Sequence, residues 1–286
     1  MYTALLADMK QSTSYKNSER WQMQNAIEHS LYSLNNMYYP GFIKRVDFSG
    51  GDGVQGLFKD PISAYLYFRL FSLALGVGKF RCGIGIGAWE TRLDSRDDSD
   101  AQDGEAYHLA RHSIDDAKKG TYYDLICRCR NEKWDFYTVL LDHSWGICKM
   151  RTDSQNEVAF VAELLYPLIP EYQLRAWDEK EWIGNAAELL SVYVNLKGRE
   201  KRSLLSEGVL KKMAQRDMEV TPTPITCNTS LTSGRHDSLY GSARDIASAA
   251  GVAFQGVSRK ISQGRIIQER NAITNIQLCW DFGIGR

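Results

Sequence analysis

The sequence predicts an α+β protein in which a ferredoxin-like (split βαβ) sheet domain precedes a helical domain that contains a helix-turn-helix. Three observations predict this architecture. Up to about residue 150, short apolar runs alternate with segments whose apolar residues have helical spacing. From about residue 155 the apolar residues have helical spacing throughout, and a helix-turn-helix spacing lies near the C-terminus. The predicted units are a sheet domain at 1–150, a helical connector at 151–217, a linker at 218–234 and a helix-turn-helix-like domain at 235–286.

The first unit contains the predicted sheet and its helices. Residues 3–8 (TALLAD) are an apolar run that ends on an aspartate, and Glu19 to Asn36 has helical apolar spacing. Strands at 42–48 and 54–58 flank a glycine-rich turn, and Pro61 opens a second helix. The remaining predicted elements are a strand at 80–87 (FRCGIGIG), a helix from Ala106 to Lys119 and a strand at 133–141 (WDFYTVLLD). This order predicts a split βαβ sheet with helices packed on one face.

The composition is that of a globular protein, with 43% hydrophobic residues, 24% charged residues and a formal net charge of zero. The chain has no overall basic excess of the kind that would indicate a nucleic-acid partner. The apolar stretches are shorter than the roughly 18 residues of a membrane span, and MYTALLADMK does not resemble a signal peptide. We therefore expect a cytoplasmic protein with no membrane partner. Of the six cysteines only Cys127 and Cys129 are close, and reduced thiols explain them better than zinc.

Two aspartates are candidates for metal binding. Asp8 ends the first predicted strand, and Asp52 lies in the turn SGGDG between the second and third strands, 44 residues further on. Taken singly, each is explained by ordinary turn chemistry. Taken together, they would face each other at one edge of a split βαβ sheet, where two carboxylates repel unless a cation lies between them. Mg²⁺ or Mn²⁺ suits such oxygen ligands, and the glycines at 50, 51 and 53 would leave room for a triphosphate.

The C-terminal segment SARDIASAAGVAFQGVSRKISQG has the spacing of a helix-turn-helix. Ala247 is a small residue where two helices would touch, Gly251 lies in the turn, and Val257 is a buried position of the second helix. Residues 235–286 carry seven Lys/Arg against four Asp/Glu, so this part is locally basic. DNA contact and a plain helical hairpin remain alternatives. The candidate DNA-binding residues are Gln255, Ser258, Arg259 and Lys260.

Four motifs in order resemble the SatD family, which is itself similar to class III nucleotidyl cyclases. They are ALLAD at 4–8, SGGDGVQGLF at 49–58, FRCGIGIG at 80–87 and DGEAYHLAR at 103–111. The resemblance covers roughly 1–150, and it implies a cyclase-like palm domain there. SatD-like proteins also have a helix-turn-helix near the C-terminus.

The resemblance implies a role for individual residues. Asp8 and Asp52 correspond to the two metal-binding aspartates of cyclases, Met9 supplies a further ligand through its backbone carbonyl, and Arg111 stabilises the transition state. Tyr107 stands where cyclases have an asparagine, a departure that affects ribose positioning. The implied nucleotide-binding residues are Gln11, Ser12, Thr13, Gly50, Gly51 and Gly53.

Three functions follow as hypotheses. The first is a metal-dependent nucleotide-binding protein that makes a 3′,5′-cyclic nucleotide from a nucleoside triphosphate, and the resemblance implies a homodimer with sites built across it. The second is a catalytically inactive nucleotide sensor or dimeric DNA-binding regulator. The third is a scaffold with a degenerate site.

Lys118 and Lys119 are interpreted as surface charges that complement a helix C-terminus and lie within reach of a phosphate.

Overall fold

The computed structural model describes residues 1–89, 103–120, 123–130, 135–198, 203–215, 217–225, 239 and 242–280. The strands are β1 (Tyr2–Met9), β2 (Phe42–Phe48), β3 (Val54–Phe58), β4 (Phe80–Gly87), β5 (Leu125–Cys129), β6 (Leu168–Pro170) and β7 (Thr223–Ile225). The α-helices are α1 (Asn17–Met37), α2 (Pro61–Leu75), α3 (Glu105–Lys119), α4 (Asp135–Met150), α5 (Asp153–Leu165), α6 (Glu179–Lys197), α7 (Leu204–Ala214), α8 (Ser242–Ala250), α9 (Phe254–Gln263) and α10 (Ile266–Cys279). The prediction of an α+β protein is confirmed.

The main sheet has the strand order β2-β3-β1-β4-β5. Strand β1 pairs antiparallel with both β3 and β4, β2 pairs antiparallel with β3, and β4 pairs parallel with β5. Strands β1 and β2 therefore run in the same direction on either side of β3, and α1 connects them. This arrangement brings the end of β1 and the start of β3 to the same edge of the sheet.

Helices cover both faces of the sheet, so the prediction of helices on one face was wrong. Leu5 and Met9 of β1 belong to the same core as α1 and α2, whereas Ala4 packs with α3 on the opposite face. The glycines of β4 make the second packing possible. A Cβ at Gly85 would lie 2.1 Å from the carbonyl oxygen of Ala106, so the α3 backbone occupies the space that a side chain would need.

Helix α2 is enclosed by the rest of the molecule, and all fifteen of its residues are buried. Asp60 caps its N-terminus, since a side-chain oxygen accepts a hydrogen bond from the Ser63 amide at 2.8 Å, and Pro61 occupies the first turn. The helix stops at Gly76, which has a φ of +122°. A predominantly apolar helix that is covered on every side lies in the interior of a fold, and α2 does so here.

The predicted strand at 133–141 is wrong. Within the described residues of that stretch the chain is helical, as the first part of α4, and the strand that extends the sheet is the earlier segment LICRC of β5. Aromatic and β-branched residues in WDFYTVLLD favour a strand locally. The tertiary structure selects a helix, because Tyr137, Leu141 and Trp145 lie four residues apart on one helix face and are all buried.

The C-terminal helices α8 and α9 are joined by a short turn at Gly251, which has a φ of +66°. The Val252 amide donates to the Ala247 carbonyl at 3.0 Å, and Ala247 and Val257 are both buried. This segment therefore contains two short helices joined by a turn. The predicted linker at 218–234 contains β7, which pairs with β6, and its residues beyond 225 lie outside the described ranges.

A buried cluster of charged residues joins four parts of the chain. Arg69 of α2, Glu163 of α5, and Glu269 and Arg270 of α10 are fully buried, and Arg151 before α5 is nearly so. Arg69 contacts Glu163 and Glu269, each at 2.6 Å, and Arg270 contacts Glu163 at 2.7 Å. The cluster connects the helices of the sheet domain to the last helix of the chain. Among the described residues, no helix has the length and apolar character needed to cross a bilayer.

Candidate functional site

Asp8 and Asp52 lie at the same edge of the sheet. The paired register of β1 and β3 ends with Ala7 opposite Val54. Asp8 is the next residue of β1, and Asp52 lies two residues before Val54. Both residues therefore lie just beyond the last pair that β1 and β3 form at this edge. The pairing of β1 with β3 therefore places these two residues, far apart in the sequence, at the same edge of the sheet.

The turn that carries Asp52 depends on glycine. Gly50 and Gly51 have φ values of +66° and +76°, a region that residues with a Cβ rarely adopt. The Ser49 amide donates to the Gly53 carbonyl at 2.8 Å, which closes the turn. Nothing lies within 4 Å of the position that a Cβ would occupy at Gly50 or Gly51, so the outer side of the turn is open to a ligand.

The two carboxylates have different surroundings. Oδ2 of Asp52 is shielded from solvent and has no hydrogen-bond partner. Oδ2 of Asp8 lies 3.2 Å from Nζ of Lys118, and the Asp8 side chain is 26% exposed. A desolvated carboxylate oxygen without a partner is costly, and a hard divalent cation is a group that would satisfy it. The unpartnered oxygen of Asp52 therefore fits a Mg²⁺ or Mn²⁺ ion.

The ligands for such an ion are few. Across the described ranges, no three or more His, Cys, Asp and Glu side chains are grouped as a metal centre. Mg²⁺ is commonly held by one or two carboxylates together with water and substrate phosphates, so two aspartates are sufficient for a metal that binds with a nucleotide. Met9, whose carbonyl is the third ligand implied by the resemblance, is buried as the last residue of β1.

The segment after β1 forms a tight turn beside the aspartates. The Lys10 amide donates to the Lys79 carbonyl at 2.8 Å, and Gln11 adopts a left-handed conformation with a φ of 55°. Ser12 and Thr13 continue into a 3₁₀ turn, which the Ser14 amide closes by donating to the Gln11 carbonyl at 2.9 Å. A non-glycine residue at positive φ is uncommon and often marks a functional segment.

Asp124 is a third carboxylate near this edge, and sequence patterns did not reveal it. It immediately precedes β5, is buried, and pairs with Lys10 at 2.5 Å and with Lys149 at 2.7 Å. These two ion pairs position Lys10, the second residue after Asp8. No motif marks Asp124 in the sequence, and only the parallel pairing of β4 and β5 brings it here.

Arg111 is not next to Asp8 within one chain. Its Nη1 lies 3.8 Å from Asp103 near the start of α3, and the side chain is 44% exposed. Lys118, which does contact Asp8, is seven residues further along the helix, or about 10 Å at 1.5 Å per residue. The guanidinium is accessible from outside this chain.

Tyr107 is turned into the protein. It is fully buried between α3 and the sheet, and its hydroxyl has no hydrogen-bond partner. Burial raises the pKa of this phenol above its ordinary value, and the positive charge of Arg111 only partly opposes that effect. The Tyr107 side chain, at the position where the resemblance implies an asparagine, is therefore not directed at a ligand.

A cleft of about 320 Å³ opens beside the glycine turn. Its walls are aromatic and amide side chains together with one glutamate and a glycine of the turn. They are Trp21, Gln24, Asn25, Glu28, Phe48 and Gly51. Trp21 is 69% exposed on this side of α1.

The candidate DNA-binding residues lie on α9. Gln255 and Arg259 are exposed, and Ser258 and Lys260 are partly buried. Arg244 of α8 lies over the Phe254 ring at 5.7 Å, beside the start of α9. Helix α9 packs against α5, α8 and α10, so this surface is separate from the edge that carries Asp8 and Asp52.

Residues 2–128 match the family model of the SatD family. The matched region contains β1 to β4, α3 and most of β5, so it includes Asp8, Asp52 and Arg111. It ends before α4, and the C-terminal helices lie outside it. No curated protein and no solved structure matches the chain. The match supports the resemblance of the N-terminal part to the SatD family.

Proposed function

We propose that this chain is a SatD-family protein with a metal-dependent nucleotide-binding site, and that it resembles class III nucleotidyl cyclases. The observation that carries the proposal is the position of Asp8 and Asp52 at one sheet edge, with Oδ2 of Asp52 buried and without a partner. The strand order β2-β3-β1-β4 supports a ferredoxin-like assignment of the sheet. We propose further that the chain converts a nucleoside triphosphate to a 3′,5′-cyclic nucleotide and pyrophosphate.

The chain's own residues have distinct parts in this proposal. Asp8, Asp52 and the carbonyl of Met9 would hold Mg²⁺ or Mn²⁺. Such an ion, when bound, lowers the barrier to deprotonating the 3′-hydroxyl and offsets charge on the phosphates. The open positions at Gly50 and Gly51 would admit the triphosphate, whereas a Cβ at Gly53 would lie 2.9 Å from the Ser49 carbonyl oxygen, so Gly53 serves the turn itself. The turn at 11–13 would present backbone amides to the phosphates.

Arg111 requires a second copy of the chain. It lies about two turns of α3 away from the lysine that contacts Asp8, and it is exposed. The cyclase resemblance implies a homodimer in which the metal ligands and the arginine come from opposite subunits. Arg111 would then stabilise charge at the α-phosphate of a nucleotide held by the partner chain.

The test is pyrophosphate release from each of the four common nucleoside triphosphates with Mn²⁺. We expect release by the wild type with at least one of them, and none by Asp52→Asn. The matched control is Asp47→Asn, because Asp47 is an exposed aspartate of the neighbouring strand β2 and lies outside the proposed site. Equal release by wild type and Asp52→Asn would contradict the catalytic proposal, and so would silence of the wild type with all four.

A second candidate is a catalytically inactive nucleotide sensor or dimeric DNA-binding regulator. Two observations favour it. Tyr107 is buried where cyclases use an asparagine, and α9 has Gln255 and Arg259 exposed after a helix–turn–helix order. In this proposal the domain at 235–286 binds DNA through α9.

The test is the salt dependence of binding to a pool of genomic DNA fragments. The double variant Arg259→Ala/Lys260→Ala should bind more weakly, and the slope of log K against log[salt] should fall by about 2 if both residues contact phosphates. The control is Lys211→Ala/Lys212→Ala in the last turn of α7, which removes the same charge elsewhere. Equal weakening by the two variants would contradict specific contact through α9.

A further inference from the structure

Lys118 contacts the carboxylate that is proposed to bind the metal. Its Nζ lies 3.2 Å from Oδ2 of Asp8, and its side chain is 46% exposed. The neighbouring Lys119 points elsewhere, since its Nζ lies 3.6 Å from Asp116, one turn earlier on α3. The structure therefore distinguishes two adjacent lysines at the end of one helix.

Lys10, two residues after Asp8, is held more firmly than Lys118. Lys10 pairs at 2.5 Å with Asp124, whose side chain is only 9% exposed and also contacts Lys149. An ion pair between exposed side chains is worth only about 0.2–1 kcal/mol, so the pair of Asp8 and Lys118 is easily broken. Lys118 is thus more easily released from its partner than Lys10.

A divalent cation and an ammonium group compete for the same oxygen. Two positive charges within about 4 Å of one another repel, and a carboxylate that binds a divalent ion cannot keep an ammonium group at 3.2 Å on the same oxygen without that repulsion. A metal bound to Oδ2 of Asp8 would therefore displace Lys118. The displaced ammonium stays at the sheet edge that carries Asp8, on a flexible four-carbon side chain.

We propose that Lys118 occupies Asp8 in the metal-free protein and moves to a phosphate of the bound nucleotide when the metal binds. This inference rests on the proposed function, because it takes Asp8 and Asp52 as metal ligands. It makes Lys118 a positioning residue with two successive partners. Metal and nucleotide then bind with positive coupling, because the nucleotide accepts the lysine that the metal displaces.

The proposal predicts opposite effects of one substitution on two ligands. Lys118→Met removes the competitor for Asp8, so the affinity for Mn²⁺ alone should rise about fivefold, the factor that corresponds to about 1 kcal/mol. The same variant lacks the ammonium for phosphate, so binding of inorganic tripolyphosphate at saturating Mn²⁺ should weaken about fivefold. A lysine with only a structural role would not change the two affinities in opposite directions.

The experiment measures free Mn²⁺ by electron paramagnetic resonance and tripolyphosphate binding by calorimetry. The control is Lys119→Met, which removes the same charge from the adjacent position and should change either affinity less than about twofold, because Lys119 pairs with Asp116 and is 78% exposed. Asp52→Asn serves as the third variant. Inorganic tripolyphosphate is used because it tests phosphate contact without depending on the base.

The outcomes separate the two proposals. If Asp52→Asn abolishes Mn²⁺ binding while Lys118→Met and Lys119→Met behave alike, the role of Lys118 is overturned and the metal site stands. If Asp52→Asn binds Mn²⁺ as tightly as the wild type does, the metal site fails and this inference fails with it. Opposite shifts for Lys118→Met alone support the inference.

Discussion

Arg69 on α2 donates two hydrogen bonds to the carboxylate of Glu269 on α10, at 2.6 and 2.8 Å, although the two residues are 200 positions apart. Both side chains are fully buried. Arg151 adds a third contact to Glu269 at 3.3 Å. The last helix of the chain is therefore attached, through a desolvated ion pair, to the helix that lies beneath the main sheet.

Removing the charge of Glu269 should destabilise the protein strongly. Glu269→Gln leaves Arg69 and Arg151 without this carboxylate in the interior, and breaking a buried pair on one side costs about 3–5 kcal/mol. The measurement is the free energy of unfolding in urea. The control is Asp153→Asn, which removes a 91% exposed carboxylate from its pair with Lys197 and should cost less than about 1 kcal/mol. Similar costs for the two variants would contradict a desolvated cluster.

The same carboxylate should make stability depend on pH in the acid range. Burial by itself raises the pKa of Glu269, but Arg69 and Arg151 outweigh it and hold the pKa at about 2, below the ordinary value of 4.5. A depressed folded-state pKa gives stability that is fully present above the unfolded value. That contribution is lost as pH falls from 4.5 toward about 2. Unfolding by urea at a series of pH values should show this loss.

The control for the pH experiment is the exposed Glu188, and Glu188→Gln should keep the wild-type pH dependence. In Glu269→Gln this part of the acid dependence should be absent, because the residue no longer titrates. An unchanged slope between pH 4.5 and about 2 in Glu269→Gln would assign the acid sensitivity to other groups.

Gly85→Ala should destabilise the packing of α3 on the sheet. The new Cβ would lie 2.1 Å from the Ala106 carbonyl oxygen and 2.4 Å from the Ala110 amide, both in the helix backbone. Overpacking of this kind costs about 1–3 kcal/mol. The control is Gly184→Ala inside α6, where no atom lies within 4 Å of the new Cβ. That change should stabilise by up to about 1 kcal/mol, because alanine favours helix.

Tyr107→Phe should stabilise the protein by about 1 kcal/mol, because it removes a buried hydroxyl that has no partner. Tyr65 is a matched control, since it is also fully buried but its hydroxyl donates to Ser144 at 2.8 Å. Tyr65→Phe should destabilise by about 1 kcal/mol. Chemical denaturation of the two variants measures both effects, and a destabilised Tyr107→Phe would mean that this hydroxyl has a partner in solution.

Mn²⁺ should raise the thermal stability of the wild type if Asp8 and Asp52 bind it. At a concentration of about 100 times Kd, a ligand that binds only the folded state adds about 2.7 kcal/mol. Chelation with EDTA should reverse the gain, and Asp52→Asn should show none of it. A gain of equal size in Asp52→Asn would place the bound ion elsewhere in the protein.

Local patterns predicted several elements closely. Strands at 42–48, 54–58 and 80–87 and the start of a helix at Pro61 coincide with β2, β3, β4 and α2. These elements are bounded by glycine, proline and aspartate, whose backbone and capping preferences act over a few residues. The position of Asp8 and Asp52 at one edge also follows from strand order, because β1 and β3 are neighbours.

The errors occurred where tertiary contacts outweigh local preference. WDFYTVLLD has strand-like residues, yet the buried positions of Tyr137 and Trp145 on one face require a helix. Lys118 is a partly exposed charge at the end of α3, as the sequence indicated, but its contact with Asp8 depends on where α3 crosses the sheet. Asp124 has no motif, so no pattern pointed to it.

The sequence by itself determined the α+β class, the glycine turn that presents Asp52 and the four ordered motifs, because each depends on neighbours within a few positions. Only the tertiary structure decided which sheet face receives α3, that Arg69 and Glu269 form one buried pair, and that Lys118 contacts Asp8. The physical reason is that burial and charge pairing depend on residues distant in sequence. Their energies exist only after the helices and strands have packed together.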